Sequence, residues 1–214
     1  MLDTFAATRE RGLLSSLPLS TARLRMRKFR PTDQEALYAL HRDGGVTRFA
    51  GGSKNKRESL ATLQRIIERV NRTGFGPLAV TRRCDRQQSE ALIGWCGVQP
   101  LRDSAHYEII YALAAEFWGY GYATEAAGAI MHIAFSSNDL VNDEIVGLVY
   151  PQNLPSIRVL EKLGMMFREY RFDHPNQRYA CLYSVGRSKF LCTYAQSFAT
   201  TEASGNPHQS SWKK

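Results

Sequence analysis

In "RLRMRKF" (23–29) apolar and charged residues alternate, so Leu24 and Met26 share one face of a strand. The period then changes. In "RPTDQEALYALHRDGG", Leu37 and Leu40 fall on one side of a helix that Thr32 or Asp33 can cap and Gly44 can stop. Leu60, Leu63, Ile67 and Val70 recur at helical spacing across 56–73, with Gly74 just beyond. "GPLAVTR" (76–82) and "ALIGWCGV" (91–98) predict two strands joined through the polar "RCDRQQS", a hairpin. "HYEIIYAL" (106–113) is a further strand, 124–136 a helix, "EIVGLVY" (144–150) a strand and 153–164 a short helix ending at Gly164. "MMFREYRF" (165–172) and "RYACLYSVG" (178–186) complete a second hairpin across "DHPNQ".

This order predicts an α/β fold with a mixed, mostly antiparallel sheet and helices on both faces. Its centre is a parallel β-α-β unit made of strand 106–113, helix 124–136 and strand 144–150. One domain over 18–192 is expected, with an N-terminal extension (1–17) and a polar C-terminal tail (193–214). The C-terminal hairpin leaves an edge strand that is a candidate contact for a homodimer.

Composition narrows the options. No apolar run reaches the length of a membrane span, and the first twenty residues lack the basic start and apolar stretch of a secretory signal. Cys84, Cys96, Cys181 and Cys192 have no metal-ligand spacing, so no metal is expected; reduced thiols in a cytoplasmic protein are the simplest reading. The net charge of +8 is uneven: residues 1–102 hold 19 Lys/Arg and nine Asp/Glu, whereas 103–150 hold seven acids and no Lys or Arg. A nucleic-acid partner would want its basic stripe to run on through that middle segment, so none is expected.

"EFWGYGYATEA" (116–126) lies inside the acidic middle. A helix entered through glycines after a central strand offers free N–H groups and a positive dipole end to an anion, above all a phosphate. With no Lys or Arg nearby in sequence, the amides and the dipole would have to supply the local help. Two phosphate motifs are excluded, because no lysine follows Gly121 as a P-loop requires and Thr124 stands where a dinucleotide fingerprint has its third glycine. The plain alternative is a tight turn at Gly119 and Gly121 with Thr124 as the helix cap.

The neighbouring stretches decide. "YEIIYALAAEFWGYGYATEAAGAIMHIAF" followed by "NLPSIRVLEKLGM" resembles the GNAT acetyltransferase superfamily, in particular its ribosomal-protein N-terminal acetyltransferase-like branch. The hallmark [QR]-x-x-G-x-[GA] falls on Trp118 to Ala123, with Trp118 in place of Gln or Arg. The second signature is matched by Asn153, Ser156, Arg158, Glu161, Lys162 and Gly164. The likeness covers roughly residues 18–190.

The resemblance implies the GNAT fold and acetyl-CoA as cosubstrate. Its pyrophosphate would lie on the loop of Trp118, Gly119, Tyr120, Gly121, Tyr122, Ala123 and Thr124, and its pantetheine arm along the backbone of Tyr111, Ala112 and Leu113. The acceptor would be a primary amine, on a small molecule or a protein N-terminus, attacking the thioester directly. Glu108 is the candidate base, with an exposed, ion-paired strand glutamate as the plain alternative; His106 and Tyr107 lie close by. Asn153 and Ser156 would sit at the sulfur end. Ser156 is the candidate acid and Tyr150 and Tyr183 are alternatives, while Asn153 is equally a good helix cap. Arg158 and Lys162 could reach the 3′-phosphate or simply be solvated. Arg48 and Phe49, in the glycine-rich connection 44–59, border the acceptor in relatives. Ile110 departs from many relatives, which carry glycine there, and would reshape the acceptor pocket. Trp95 and Trp118 are read as packing residues. The excess acid of 103–150 would favour a cationic amine. The alternative function is an acetyl-CoA-binding sensor without catalysis.

Overall fold

The computed structural model describes residues 16–49, 51–83, 91–102, 104–137, 139–173 and 176–194. The residues span a single sheet of eight strands: β1 (Leu19–Ser20), β2 (Leu24–Arg27), β3 (Gly76–Arg82), β4 (Leu92–Pro100), β5 (Tyr107–Leu113), β6 (Glu144–Val149), β7 (Met166–Asp173) and β8 (Arg178–Gly186). Their spatial order is β1-β2-β3-β4-β5-β6-β8-β7, antiparallel throughout except for the parallel pair β5–β6. The mixed α/β architecture expected from the periodicity is therefore present, with the short β1 in addition. The turn 84–90 and most of both predicted tails lie outside the described residues.

Helices α1 (Gln34–Arg42), α2 (Gly44–Thr47) and α3 (Lys56–Thr73) follow β2; α4 (Tyr122–Ser136) and α5 (Leu154–Lys162) flank β6; residues 187–194 form α6. Helix α3 begins with a reciprocal cap: Asn55 Oδ1 accepts from the Glu58 amide at 2.9 Å and Glu58 Oε2 from the Asn55 amide at 2.8 Å. It ends at Gly74, whose φ is 78°. The start of α1 differs from expectation. The Asp33 carboxylate does not cap the helix; it takes two hydrogen bonds from the buried Arg27 guanidinium (2.7 and 2.8 Å) and one from the Arg30 amide. Gly44 does not merely stop α1 either, because Asp43 Oδ1 accepts from Gly45 and Val46 and starts α2.

Two cores flank the sheet. The larger lies under α4, α5 and α6 and is centred on Ile130, Met131, Phe135 and Ile145. The smaller lies under α1 and α3, around Leu37, Leu40, Leu63 and Ala79. Helix α6 was not expected from the sequence, and the boundary drawn at 192 falls inside it. Its signal is the spacing of Phe190, Leu191 and Tyr194, and Phe190 packs on Phe135 with ring centroids 5.4 Å apart.

The helices cover the sheet unequally. α3 packs on β3 and α1 on β4, and among the described residues no helix packs extensively on the same face of β6, β8 and β7. Strand β7, at the edge, is exposed along nearly its whole length.

Candidate active site

The parallel seam is short. Tyr107 pairs with Ile145 and Glu108 with Val146, and from Ile109 onward β5 stays on β4 but has no partner in β6. The two strands thus part at their C-terminal ends and leave a gap with unpaired β5 backbone on one wall. Tyr111, Ala112 and Leu113 lie on that wall. The Tyr111 hydroxyl crosses to α5 and donates to the Ser156 carbonyl at 3.0 Å, tying the open end of β5 to the first turn of α5.

At the mouth of the gap the chain turns through Gly119 and Gly121, with φ of 81° and 79°. Such angles exclude most side chains, which answers why glycines stand here. A Cβ on Gly119 would meet nothing within 4 Å, so the space above this loop is open. Gly121, not Thr124, is the N-cap of α4, and no side chain caps it. The first amide of the helix to find a carbonyl is that of Glu125, on Gly121 at 3.0 Å. The N–H groups of Tyr122, Ala123 and Thr124 are left without an intrahelical acceptor, as a diphosphate would require.

The expectation that no cation helps this loop is corrected by Arg23. Its Nη1 donates to the Tyr120 carbonyl at 3.0 Å, its guanidinium lies 4.6 Å from the Tyr122 ring centroid, and Nε bonds Glu125 Oε2 at 2.7 Å. Glu125 also accepts from the Thr21 hydroxyl and the Arg23 amide. Residues about a hundred positions upstream thus hold the loop, which the local sequence does not reveal. Trp118 is corrected too: it is 47 % exposed rather than a core residue, and its indole N–H donates to the Leu113 carbonyl at 2.7 Å.

Glu108 stands where the strands begin to part, on the sheet face shared with α3. Gln99 Nε2 donates to its Oε1 at 2.7 Å, and Arg69 Nη1 fixes that amide by donating to Gln99 Oε1 at 2.9 Å. Burial raises the Glu108 pKa, and Gln99 and Arg69 only partly offset it; the Asp173 charge adds to the rise. Glu108 is thus a stronger base than an exposed carboxylate, not the ion-paired surface residue of the plain alternative. His106 lies on the paired side of the seam, with Ser104 Oγ 2.8 Å from Nδ1 and Glu144 3.5 Å from Nε2.

Asn153 caps α5, its Oδ1 accepting from the Ser156 amide at 3.3 Å. Among the described residues the Ser156 hydroxyl has no partner, so its proton is available. Tyr150 is committed otherwise: its hydroxyl donates to Asp173 Oδ2, and the Arg178 guanidinium carbon lies 3.5 Å from its ring centroid. Tyr183 is buried beside Phe167. Phe49 approaches Tyr150 at 6.3 Å between centroids, and Arg48 lies over Phe49. Arg158 and Lys162 are exposed on α5. Gln99, Arg69, Asp173 and Arg178 were not legible as site residues, because each arrives from another strand or helix. Among the described residues no group of three or more His, Cys, Asp or Glu could hold a metal, and none of their helices is long and apolar enough to cross a membrane.

Residues 23–166 match the family described as "Acetyltransferase (GNAT) domain". The chain belongs to the GNAT acetyltransferase family. It is 33 % identical over 152 residues to the uncharacterized protein YkkB of Bacillus subtilis, covering 70 % of this chain and 85 % of that one. In fold it is similar to a GNAT-family acetyltransferase from Bacillus anthracis, with TM-score 0.67, 24 % identity and coverage of 79 % and 98 %. It is also similar to RimL, a ribosomal L7/L12 α-N-protein acetyltransferase in complex with coenzyme A, with TM-score 0.65, 14 % identity and coverage of 79 % and 97 %. As a GNAT family member it is an acetyl-CoA-dependent acyltransferase.

Proposed function

We propose that the protein transfers an acetyl group from acetyl-CoA to a primary amine by direct attack, without a covalent enzyme intermediate. Acetyl-CoA supplies the activated acyl group. The chain's own residues do the rest. The unpaired amides at the start of α4 receive the diphosphate, Arg23 keeps the loop in place, and the open edge of β5 from Ile109 to Leu113 runs beside the pantetheine arm. An amide of that edge polarises the thioester carbonyl, a term of several kcal/mol in comparable sites.

The amine arrives protonated, and Glu108 accepts its proton through a water molecule. Ser156, with its free hydroxyl at the start of α5, returns a proton to the departing sulfur. Asn153 positions Ser156 by capping the helix, and Tyr111 ties the same turn to β5. The acceptor is the N-terminus of a peptide or protein, or a small-molecule amine.

The observation that carries this reading is Glu108 itself, a half-buried carboxylate with raised pKa at the point where β5 and β6 part. Two measurements test it. Acetyl-CoA at a hundredfold over its Kd should raise the unfolding midpoint by about 5–10 °C, and ATP and NADH should not. Thiol release should then depend on added amine. A midpoint shift without turnover for any amine would leave a cofactor sensor and sink the enzymatic reading.

A further inference from the structure

The segment 103–150 carries seven acids and no Lys or Arg, which by itself suggests a cationic amine as acceptor and raises the question whether it is a polyamine. The fold cancels much of that charge. Arg23 lies 2.6 Å from Glu125, Arg187 2.8 Å from Asp143, and Arg168 3.5 Å from Glu144. Arg69 reaches Glu108 through Gln99. The site does not present the anionic field that a polyamine would need.

Beside Glu108, on the sheet face that α1 and α3 leave bare, a cleft of about 440 Å³ is lined by His106, Glu144, Val146, Arg168, Glu169 and Arg171, among others. It neighbours the candidate base, since His106 lies two residues before Glu108, just ahead of β5, and Val146 is the residue paired with Glu108. Its charges are not all committed. Glu144 is shared by His106 and Arg168, and Arg168 also donates to Ser184 at 2.7 Å. Glu169 and Arg171, two residues apart on β7, have no hydrogen-bond or ion-pair partner among the described residues. A wall with one free charge of each sign suits a ligand that carries both signs. Glu169 discourages a polyanion, and Arg171 offers a fork for a carboxylate.

Resting on the acetyl-transfer reading above, we propose that this cleft seats the acceptor, and that the acceptor is the N-terminus of a peptide chain with an acidic group in its first three residues. The amine lies at Glu108 and Arg171 reads the carboxylate. From β5 to β7 there are three strand spacings, about 14 Å, and Arg171, opposite Ala180, lies four β8 positions from Ser184 in the row of Glu108, so the two backbones are about 19 Å apart before the reach of both side chains is subtracted. Two or three extended residues, at about 3.3–3.6 Å each, bridge the remainder.

The test uses the full chain, acetyl-CoA and three acceptors: Ala-Ala-Glu-amide, Ala-Ala-Gln-amide and spermidine. The Glu peptide should exceed both others by about ten-fold in kcat/KM. Arg171→Gln should erase the difference between the two peptides through KM, leaving kcat within about two-fold and the response to acetyl-CoA intact. Arg171→Glu should invert the preference. An unchanged peptide ratio in Arg171→Gln, or spermidine as the best acceptor of the native chain, overturns the proposal and leaves the acetyl-transfer reading standing. No turnover with any of the three overturns this proposal as well, and thiol release with other amines would then show that acetyl transfer survives it.

Discussion

The two halves of the sheet have strands of similar length and very different surroundings. β3 and β4 are covered on both faces, and six of the seven residues of β3 are buried. β7 is exposed along almost its full length, although it carries the large aromatic side chains of Phe167, Tyr170 and Phe172. Covering both faces yields a nearly continuous apolar strand that serves rigidity. Leaving one face bare creates room for a substrate. Glu108 sits on the seam, held from the covered side by Gln99 and Arg69 and paired with Val146, a residue that lines the cleft of the other half. On the proposed reading, stability belongs to one half and acceptor chemistry to the other.

The sharpest way to break that assignment is Glu108→Gln. With the base removed, kcat should fall by about 10²–10⁴-fold, while the midpoint rise with acetyl-CoA persists. In the native chain, activity should fall as pH drops through a value above the ordinary 4.5 of a glutamate, because the base must be ionised and burial raises its pKa. That limb should vanish in the variant. The stability sign is opposite. A carboxyl whose pKa is raised in the folded state favours folding when protonated, and this contribution is lost as pH rises through the folded pKa. Glu108→Gln should therefore unfold no more easily than the native chain at neutral pH. A variant that kept its kcat would move the chemistry away from the seam.

Next in size is a pair of truncations, one in each environment. Phe135→Ala removes a fully buried ring between α4, α6 and the sheet, and should cost about 3–5 kcal/mol. Tyr170→Ala, on the exposed strand, should cost under about 1 kcal/mol. Urea unfolding measures both. Equal losses would mean that β7 is covered in solution by something other than this chain's own helices.

Much of this division was legible in the sequence. The period-2 and helical patterns placed the main elements, and the glycines of "EFWGYGYATEA" marked the left-handed turn into α4 where the phosphates are proposed to bind. What stayed hidden was every residue that acts across a long loop of chain. Gln99 is an ordinary strand residue until Glu108 lies opposite it, and Asp173 an ordinary hairpin acid until Tyr150 reaches it. Helix α6 was passed over because its short apolar pattern directly follows a strand. The acid run of 103–150 says less than its charge count suggests for the same physical reason: charge adds up in space rather than along the chain, and the arginines paired with Glu125, Asp143 and Glu144 come from distant segments.

Arg23 is the sharpest instance and gives the smallest of the expected effects. It comes from the covered half yet holds the loop where the cofactor's phosphates are proposed to bind. It is half exposed, so its ion pair with Glu125 is screened and contributes little to stability. Its hydrogen bond to the Tyr120 carbonyl fixes where the amides of α4 point. Arg23→Ala should raise KM for acetyl-CoA on the order of five-fold, equivalent to about 1 kcal/mol, with kcat and the acceptor preference unchanged. Arg23→Lys separates charge from geometry. A lysine keeps the charge but cannot hold Glu125 and the carbonyl with one planar fork, so it should behave like the alanine variant. Full recovery with lysine would show that a positive charge alone serves the phosphates, and that the loop needs no fixing from the residue ahead of β2.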